Sequence, residues 1–406
     1  MFGAFVANTG CRRWHGLDCL RACLAGLNRT KHVGGGIHDA ATANACYDEV
    51  FRYSSENRDV RGAWRTSGMR DMLVGFVVGQ TSACVSVHPI NVSGKTMWYA
   101  CDEAAKPRSA PIGILNGFGR TLGDGIVGLQ ALSVAILVGA LPERPILFRL
   151  PNLSAMVRAI YAVADFAETR TLPWEFATNE WPFEPDEPFA RVIDMRDFAF
   201  DPDFHGTAMI DFFLRKLGVE PGLIPASRRR NTWLAPRVLP VAPDAPAGYI
   251  LMCPKASMRL RDMPMEIHAH IVRKALEVGP VVTQGHAPGA FVKNVIHAAP
   301  CTTLGALCGL VRGARLVVST DTAMVHLADA FDVPCLAFFP THRPEWRVRD
   351  YPHCQAISLP GRLPLGIEFA RGPEDEQLAR SAWFPDGNDF GWLDRVMIPM
   401  LEQCAR

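Results

Sequence analysis

The sequence predicts an α/β fold made of two parallel-sheet domains in tandem. From Pro111 onward, short apolar runs of strand length alternate with longer helical stretches. A glycine-rich turn, Gly117–Gly125, joins the first run to an apolar helix, and a Pro- and Arg-rich stretch over Pro221–Pro246 separates two such series, as an interdomain linker does. The length of 406 residues agrees, because domains of roughly 100–200 residues make two the expected count.

Residues 1–110 are rich in Gly, Ser, Asn and Arg, with Gly34-Gly35-Gly36 in the middle, and form an amino-terminal extension whose fold the pattern does not define. The first domain, 111–240, opens with strand Ile112–Leu115, the glycine turn, a helix from Ile126 and strand Pro145–Arg149. It continues through Ala190–Asp194 and the amphipathic Met209–Leu217. The second domain, 247–406, reads as strand Tyr249–Cys253, helix Pro264–Val278, strand Val281–Thr283, helix Leu304–Val311, strand Arg315–Ser319, helix Thr322–Phe331 and strand Cys335–Phe339. Strands bounded by helices imply parallel sheets, which bind ligands outside the carboxyl ends of their strands.

Composition excludes several classes. A net charge of +1 provides no basic field for nucleic acid, and Arg228-Arg229-Arg230, the densest basic run, reads as a solvated linker. Twelve cysteines are scattered without a CxxC pair, as reduced cytosolic thiols are; Cys19 and Cys23 alone do not make a metal site. Arg12, Arg13 and His15 follow a very short apolar start, the wrong order for a signal peptide. Met72–Val87 and Ile126–Leu141 are shorter than a membrane span and carry polar residues. A cytoplasmic protein is expected.

The densest chemistry lies in Arg315–Phe339, where an apolar strand runs into Ser319-Thr320-Asp321-Thr322. Asp321 or Ser319 is placed to cap the next helix, whose free N–H groups and positive dipole end suit a diphosphate. His326 lies about one turn in, either a core histidine or a ligand to phosphate or a sugar hydroxyl. Pro254-Lys255-Ala256-Ser257, with Arg259 and Arg261, supplies cations for a leaving nucleoside diphosphate. Asp124, at a helix entrance, is placed to accept a proton from an attacking hydroxyl.

Taken in order, strand-Gly123-Asp124-helix, Pro254–Ser257 and Asp321–Ala328 resemble the lipopolysaccharide heptosyltransferase family. The resemblance covers about residues 111–360 and is most specific from Thr303-Leu304 through Asp321–Ala330 to Pro334 and Phe338–Thr341. It implies two facing Rossmann-like domains, the GT-B architecture, and transfer of heptose from ADP-heptose with inversion. Neither metal nor cofactor is implied beyond that donor. The acceptor implied is the lipopolysaccharide core or another surface glycan, met in the cytoplasm with peripheral contact at the inner membrane. By the same resemblance Asp124 is the catalytic base, Lys255, Ser257 and Arg261 belong to the donor loop, and Asp321, Thr322, Ala323 and His326 fall on the donor-binding Asp-Thr-Gly-x-x-His. Ala323 replaces the usual glycine, Met263 stands where a tryptophan is common, and Gly285–Pro288 lacks an acidic residue. The alternatives are a nucleotide-sugar epimerase and a catalytically degenerate nucleotide-sugar-binding protein.

Overall fold

In the computed structural model, which describes residues 111–115, 117–172, 189–195, 198–285, 287–361, 363–367, 370, 372–387 and 389–405, two parallel sheets are present. The extension over 1–110, with Cys19, Cys23 and the apolar stretch Met72–Val87, lies outside the described residues.

The first sheet joins β1 (Ile112–Leu115), β2 (Ile146–Arg149), β3 (Glu168–Thr171) and β4 (Arg191–Asp194) in the order β3-β2-β1-β4. All its pairings are parallel, with Ile114 opposite Leu147 on one side and Ile193 on the other. The helices alternating with these strands are α1 (Leu122–Leu137) and α2 (Ala155–Ala162), each capped by a hydroxyl: Thr121 accepts from the Asp124 N–H and Ser154 from that of Val157.

After α3 (Met209–Lys216) the chain makes three single 3-10 turns, then enters the second sheet. That sheet holds β5 (Tyr249–Cys253), β6 (Val281–Thr283), β7 (Ile296–His297), β8 (Ala314–Thr320), β9 (Cys335–Phe339) and β10 (Cys354–Ser358) in the order β10-β9-β8-β5-β6-β7. This is the doubly wound order, and its topological switch point lies between β5 and β8. β5 and β9 are buried at every residue and β8 at all but one, which is why their sequences are nearly unbroken apolar runs. The intervening helices are α4 (Met265–Val278), α5 (Leu304–Arg312) and α6 (Ala323–Ala330), followed by α7 (Pro373–Ser381) and α8 (Gly391–Ala405). Ile267, Ile271 and Ala275 of α4, Met397 and Leu401 of α8, and Trp383 close a core over Ile250, Met252, Leu316 and Val318.

Chain contacts sort into two compact units. One runs to Gly119 and takes in Pro142–Asn152 and Ala167–Phe204; the other comprises Arg120–Leu141, Leu153–Phe166 and His205–Arg406. The helices α1 and α2 therefore belong with the second unit, where α1 packs on α3 and α6.

The stretch expected to be a linker is folded onto this second unit. Trp233 and Leu234 are buried, and the Trp233 indole N–H donates to the Ile126 carbonyl at 2.9 Å. Farther on, the Val241 N–H donates to the Gly305 carbonyl at 2.9 Å, and a Cβ at Gly309 would stand 1.7 Å from the Val241 carbonyl oxygen. Only glycine lets this segment lie so close across α5. Arg229 and Arg230 are mostly buried in ion pairs, Arg229 with Asp350 and Arg230 with Asp329 and Asp332, so the solvated reading of Arg228–Arg230 is corrected at two of its three residues. Their partners come from distant parts of the chain, which local composition does not reveal.

Candidate active site

The carboxyl end of β8 meets the start of α6 at Ser319–Thr322. Thr322, in extended backbone at φ −145° and ψ 173°, is the N-cap: its Oγ1 accepts the Met324 N–H at 3.1 Å and its carbonyl accepts that of Val325 at 3.2 Å. Ser319 Oγ lies 3.1 Å from Thr322 Oγ1. The cap expected at Asp321 or Ser319 is thus one residue later, and Ala323 is the first helical residue.

Asp321 is 2% exposed, and its Oδ2 meets Arg261 Nη1 at 3.3 Å and His342 Nδ1 at 3.0 Å. Burial opposes its charge, but Arg261, His342 and the more remote Arg347 overcome that penalty and hold the carboxyl well below the usual carboxylate range. Asp321 is therefore a fixed buried anion that anchors the loop carrying Arg261.

That loop leaves β5 at Cys253. Arg261, in a single 3-10 turn over Arg259–Arg261, also donates to Ser257 Oγ at 3.2 Å, and Thr320 Oγ1 donates to the Arg261 carbonyl. Lys255 takes another direction: its Nζ donates to Asp262 Oδ2 at 2.8 Å while Asp262 Oδ1 accepts the Ala256 N–H at 2.9 Å. It lies in the wall of a cavity of about 480 Å³ shared with Arg259, Met263, His268 and Glu376. His268 is 1% exposed, and burial, aided by Lys255, depresses its pKa to about 4.

Helix α1 begins at Leu122, four residues earlier than its apolar run, so Gly123, Asp124 and Gly125 form its first turn instead of ending the glycine loop. A Cβ at Gly123 would lie 3.2 Å from His326 Cδ2, 3.5 Å from its Nε2 and 3.8 Å from the Ala323 Cα. The half-buried Asp124 follows directly. The first turns of α1 and α6 therefore meet, and the small Ala323 in the place of a glycine still permits the approach.

His326 is 3% exposed, and burial depresses its pKa to about 4 against the opposing pull of Asp321, so the ring is neutral at pH 7. Its Nδ1 lies 2.7 Å from Tyr351 Oη, Tyr351 accepts from Asn231 Nδ2 at 2.6 Å, and Asn231 donates to Asp329 Oδ2 from both its backbone N–H and its side chain, at 2.8 and 3.1 Å.

Of the residues singled out from sequence, Asp321, Arg261 and Ser257 form one bonded set at the switch point, with Thr322 and Ala323 next in the chain. His326 and the turn bearing Asp124 form a second set around Ala323, and Lys255 joins neither. Sequence reading missed His342, Tyr351, Asn231 and Asp329. Polar residues just past a buried strand could have flagged His342, three residues beyond β9; nothing local marks the others. Among the described residues no three His, Cys, Asp or Glu side chains are grouped to hold a metal ion, and no helix is long and apolar enough to cross a membrane.

The family model of glycosyltransferase family 9 (heptosyltransferase) matches residues 227–358. A search of curated proteins gives no match. Among solved structures, the dodecameric iron-containing heptosyltransferase TibC in complex with ADP-D-beta-D-heptose is 14% identical with a TM-score of 0.48, over 73% of this chain and 78% of that one; TibC comes from enterotoxigenic E. coli. E. coli ADP-heptose lps heptosyltransferase II is 14% identical with a TM-score of 0.44, over 72% and 99%. The family 9 glycosyl transferase of Veillonella parvula is 14% identical with a TM-score of 0.39, over 63% and 88%. The matched stretch, residues 227–358, contains Arg261, Asp321, Thr322 and His326 and is similar to glycosyltransferase family 9 (heptosyltransferase).

Proposed function

We propose that the protein transfers a sugar from a nucleoside diphosphate to an acceptor hydroxyl with inversion, that the donor is ADP-heptose, and that the acceptor is a lipopolysaccharide core or related surface glycan reached at the cytoplasmic face of the inner membrane. The observation that carries the reading is the meeting of the first turns of α1 and α6 at Gly123, Ala323 and His326, beside the Arg261–Asp321 pair. A helix start and a guanidinium at the switch point of a doubly wound sheet suit a diphosphate, and a carboxylate on the adjoining turn suits a hydroxyl about to lose its proton.

In this reading the acceptor oxygen attacks the anomeric carbon while the bond from that carbon to the diphosphate oxygen breaks, its electron pair leaving with the diphosphate. Asp124 takes the acceptor proton. Arg261 and the first N–H groups of α6 stabilise the charge that grows on the leaving group, in a place where Asp321 and Ser257 already fix the guanidinium. The transfer uses no metal in this scheme. Lys255 serves as a supporting cation on the neighbouring cavity wall and does not touch Asp321.

The test combines calorimetric titration of the protein with ADP-heptose, ADP, UDP and GDP, and a transfer assay with Asp124→Asn. Asp124→Asn is expected to lower kcat by 10²–10⁴, the usual worth of a general base, with donor affinity within about twofold of the parent. Unchanged turnover would remove Asp124 as the base. Absence of binding to every nucleotide would overturn the donor assignment. Chelation of divalent and iron ions should leave turnover unchanged; its loss, restored by one added metal, would refute transfer without a metal.

A further inference from the structure

Asp329, Asn231, Tyr351 and His326 form a buried chain in which every proton can be assigned. Asp329 receives only donors: Arg230 Nε on Oδ1 at 2.9 Å, and the backbone N–H and Nδ2 of Asn231 on Oδ2 at 2.8 and 3.1 Å. It is therefore an ionised acceptor, and the bond to its Oδ2 fixes which end of the Asn231 amide is nitrogen. The same nitrogen donates to Tyr351 Oη at 2.6 Å. Tyr351 has one hydroxyl proton, and because Asn231 Nδ2 is itself a donor, the acceptor available to that proton among the described residues is His326 Nδ1, 2.7 Å away. Nδ1 is consequently the acceptor. A neutral imidazole with a bare Nδ1 holds its hydrogen on Nε2.

We infer that Tyr351, oriented by Asn231 and Asp329, is a positioning residue that holds His326 as the Nε2–H tautomer, so that the ring presents a hydrogen-bond donor beside the first turn of α1. That edge of the ring stands where a Cβ on Gly123 would be 3.5 Å from Nε2. The ligand atom it suits is an oxygen, on a phosphate or a sugar hydroxyl, and it does not serve as a base at Nε2. The inference rests on the proposed glycosyl transfer for the identity of that oxygen, but not for the tautomer.

The tautomer is read directly by nitrogen NMR of the intact protein labelled in its histidine rings, with the His326 signals assigned through His326→Gln. In the parent protein Nε2 should carry the proton and Nδ1 should show the shift of an unprotonated nitrogen. Tyr351→Phe should mix the two tautomers and weaken affinity for ADP-heptose in proportion to the Nε2–H fraction lost, about twofold for an even mixture, with a smaller change in kcat. His326→Gln, whose amide nitrogen reaches the Nε2 position, should retain more affinity than His326→Asn. A proton on Nδ1 in the parent protein, which needs no variant to observe, would overturn the inference, as would an unaltered tautomer in a folded Tyr351→Phe protein. If the parent binds no nucleotide sugar yet shows the Nε2–H tautomer, the proposed reaction fails and the positioning role of Tyr351 stands.

Discussion

Asp124 and Asp321 are both aspartates beside a helix start, yet their surroundings give them different work. Asp124 is half-buried in the first turn of α1, where the proposed transfer assigns it the acceptor proton. Asp321 is enclosed with Arg261 and His342 and is held ionised. Asp321→Asn should therefore reduce stability by about 3 kcal/mol, because it leaves a mostly buried guanidinium without its counter-charge. Urea denaturation reads this directly, and a variant as stable as the parent would show the pair to be solvated. Donor affinity lost in that variant reports on the fold as much as on binding. The sequence revealed Asp321, Thr322 and His326 because they follow an apolar strand, a local pattern. His342, Tyr351 and Asn231 were not legible, since each acquires its meaning from a partner brought near by folding: Tyr351 and Asn231 are 120 positions apart.

At the scale of elements, what could be read depended on burial. Strands Tyr249–Cys253, Val281–Thr283 and Cys335–Phe339 have the boundaries their apolar runs predict, since a central parallel strand is covered on both faces. The edge strands β3, Glu-Thr-Arg-Thr over Glu168–Thr171, and β10, Cys354–Ser358, have exposed positions and no such run, so sequence periodicity passes over them. The Pro- and Arg-rich stretch misled for a related reason: proline and arginine look like linker composition, but here the prolines shape 3-10 turns and the arginines find acids on α6 and after β9. Trp233→Ala should accordingly cost about 3–5 kcal/mol, by opening a cavity against α1 and freeing the Ile126 carbonyl. Leu239→Ala, six residues on and 88% exposed, should change stability by less than about 0.5 kcal/mol. Thermal denaturation of the two variants compares them; equal, small effects would mean that the stretch is a loose linker after all.

For the whole molecule, buried titratable groups set a stability dome in pH, and its two flanks have different origins. On the acid side, His268 and His326 have pKa values near 4 in the folded protein, because burial disfavours their charged forms, against about 6.5 unfolded. Between those values the unfolded chain binds protons that the folded chain does not, so stability falls as pH drops from about 6.5 to 4, by up to about 3 kcal/mol for each ring. Below that window the depressed Asp321 adds further loss as the unfolded carboxyl protonates, while Asp329, raised by burial, acts in the opposite direction. On the alkaline side, burial pushes Cys308 and Tyr249 up to about 12, so the unfolded chain loses protons first and stability falls as pH rises above about 8.5 for the thiol and about 10 for the phenol. Urea midpoints measured from pH 4.5 to 9.5 should thus peak near neutrality. His268→Gln should remove about half of the acid flank, leaving the share of His326, and should not change the alkaline one, whereas Cys308→Ala should make only the alkaline flank shallower. An acid flank unchanged in His268→Gln would mean that this ring titrates as a solvated histidine, and its place in the cavity wall beside Lys255 would then be open to water and ligand.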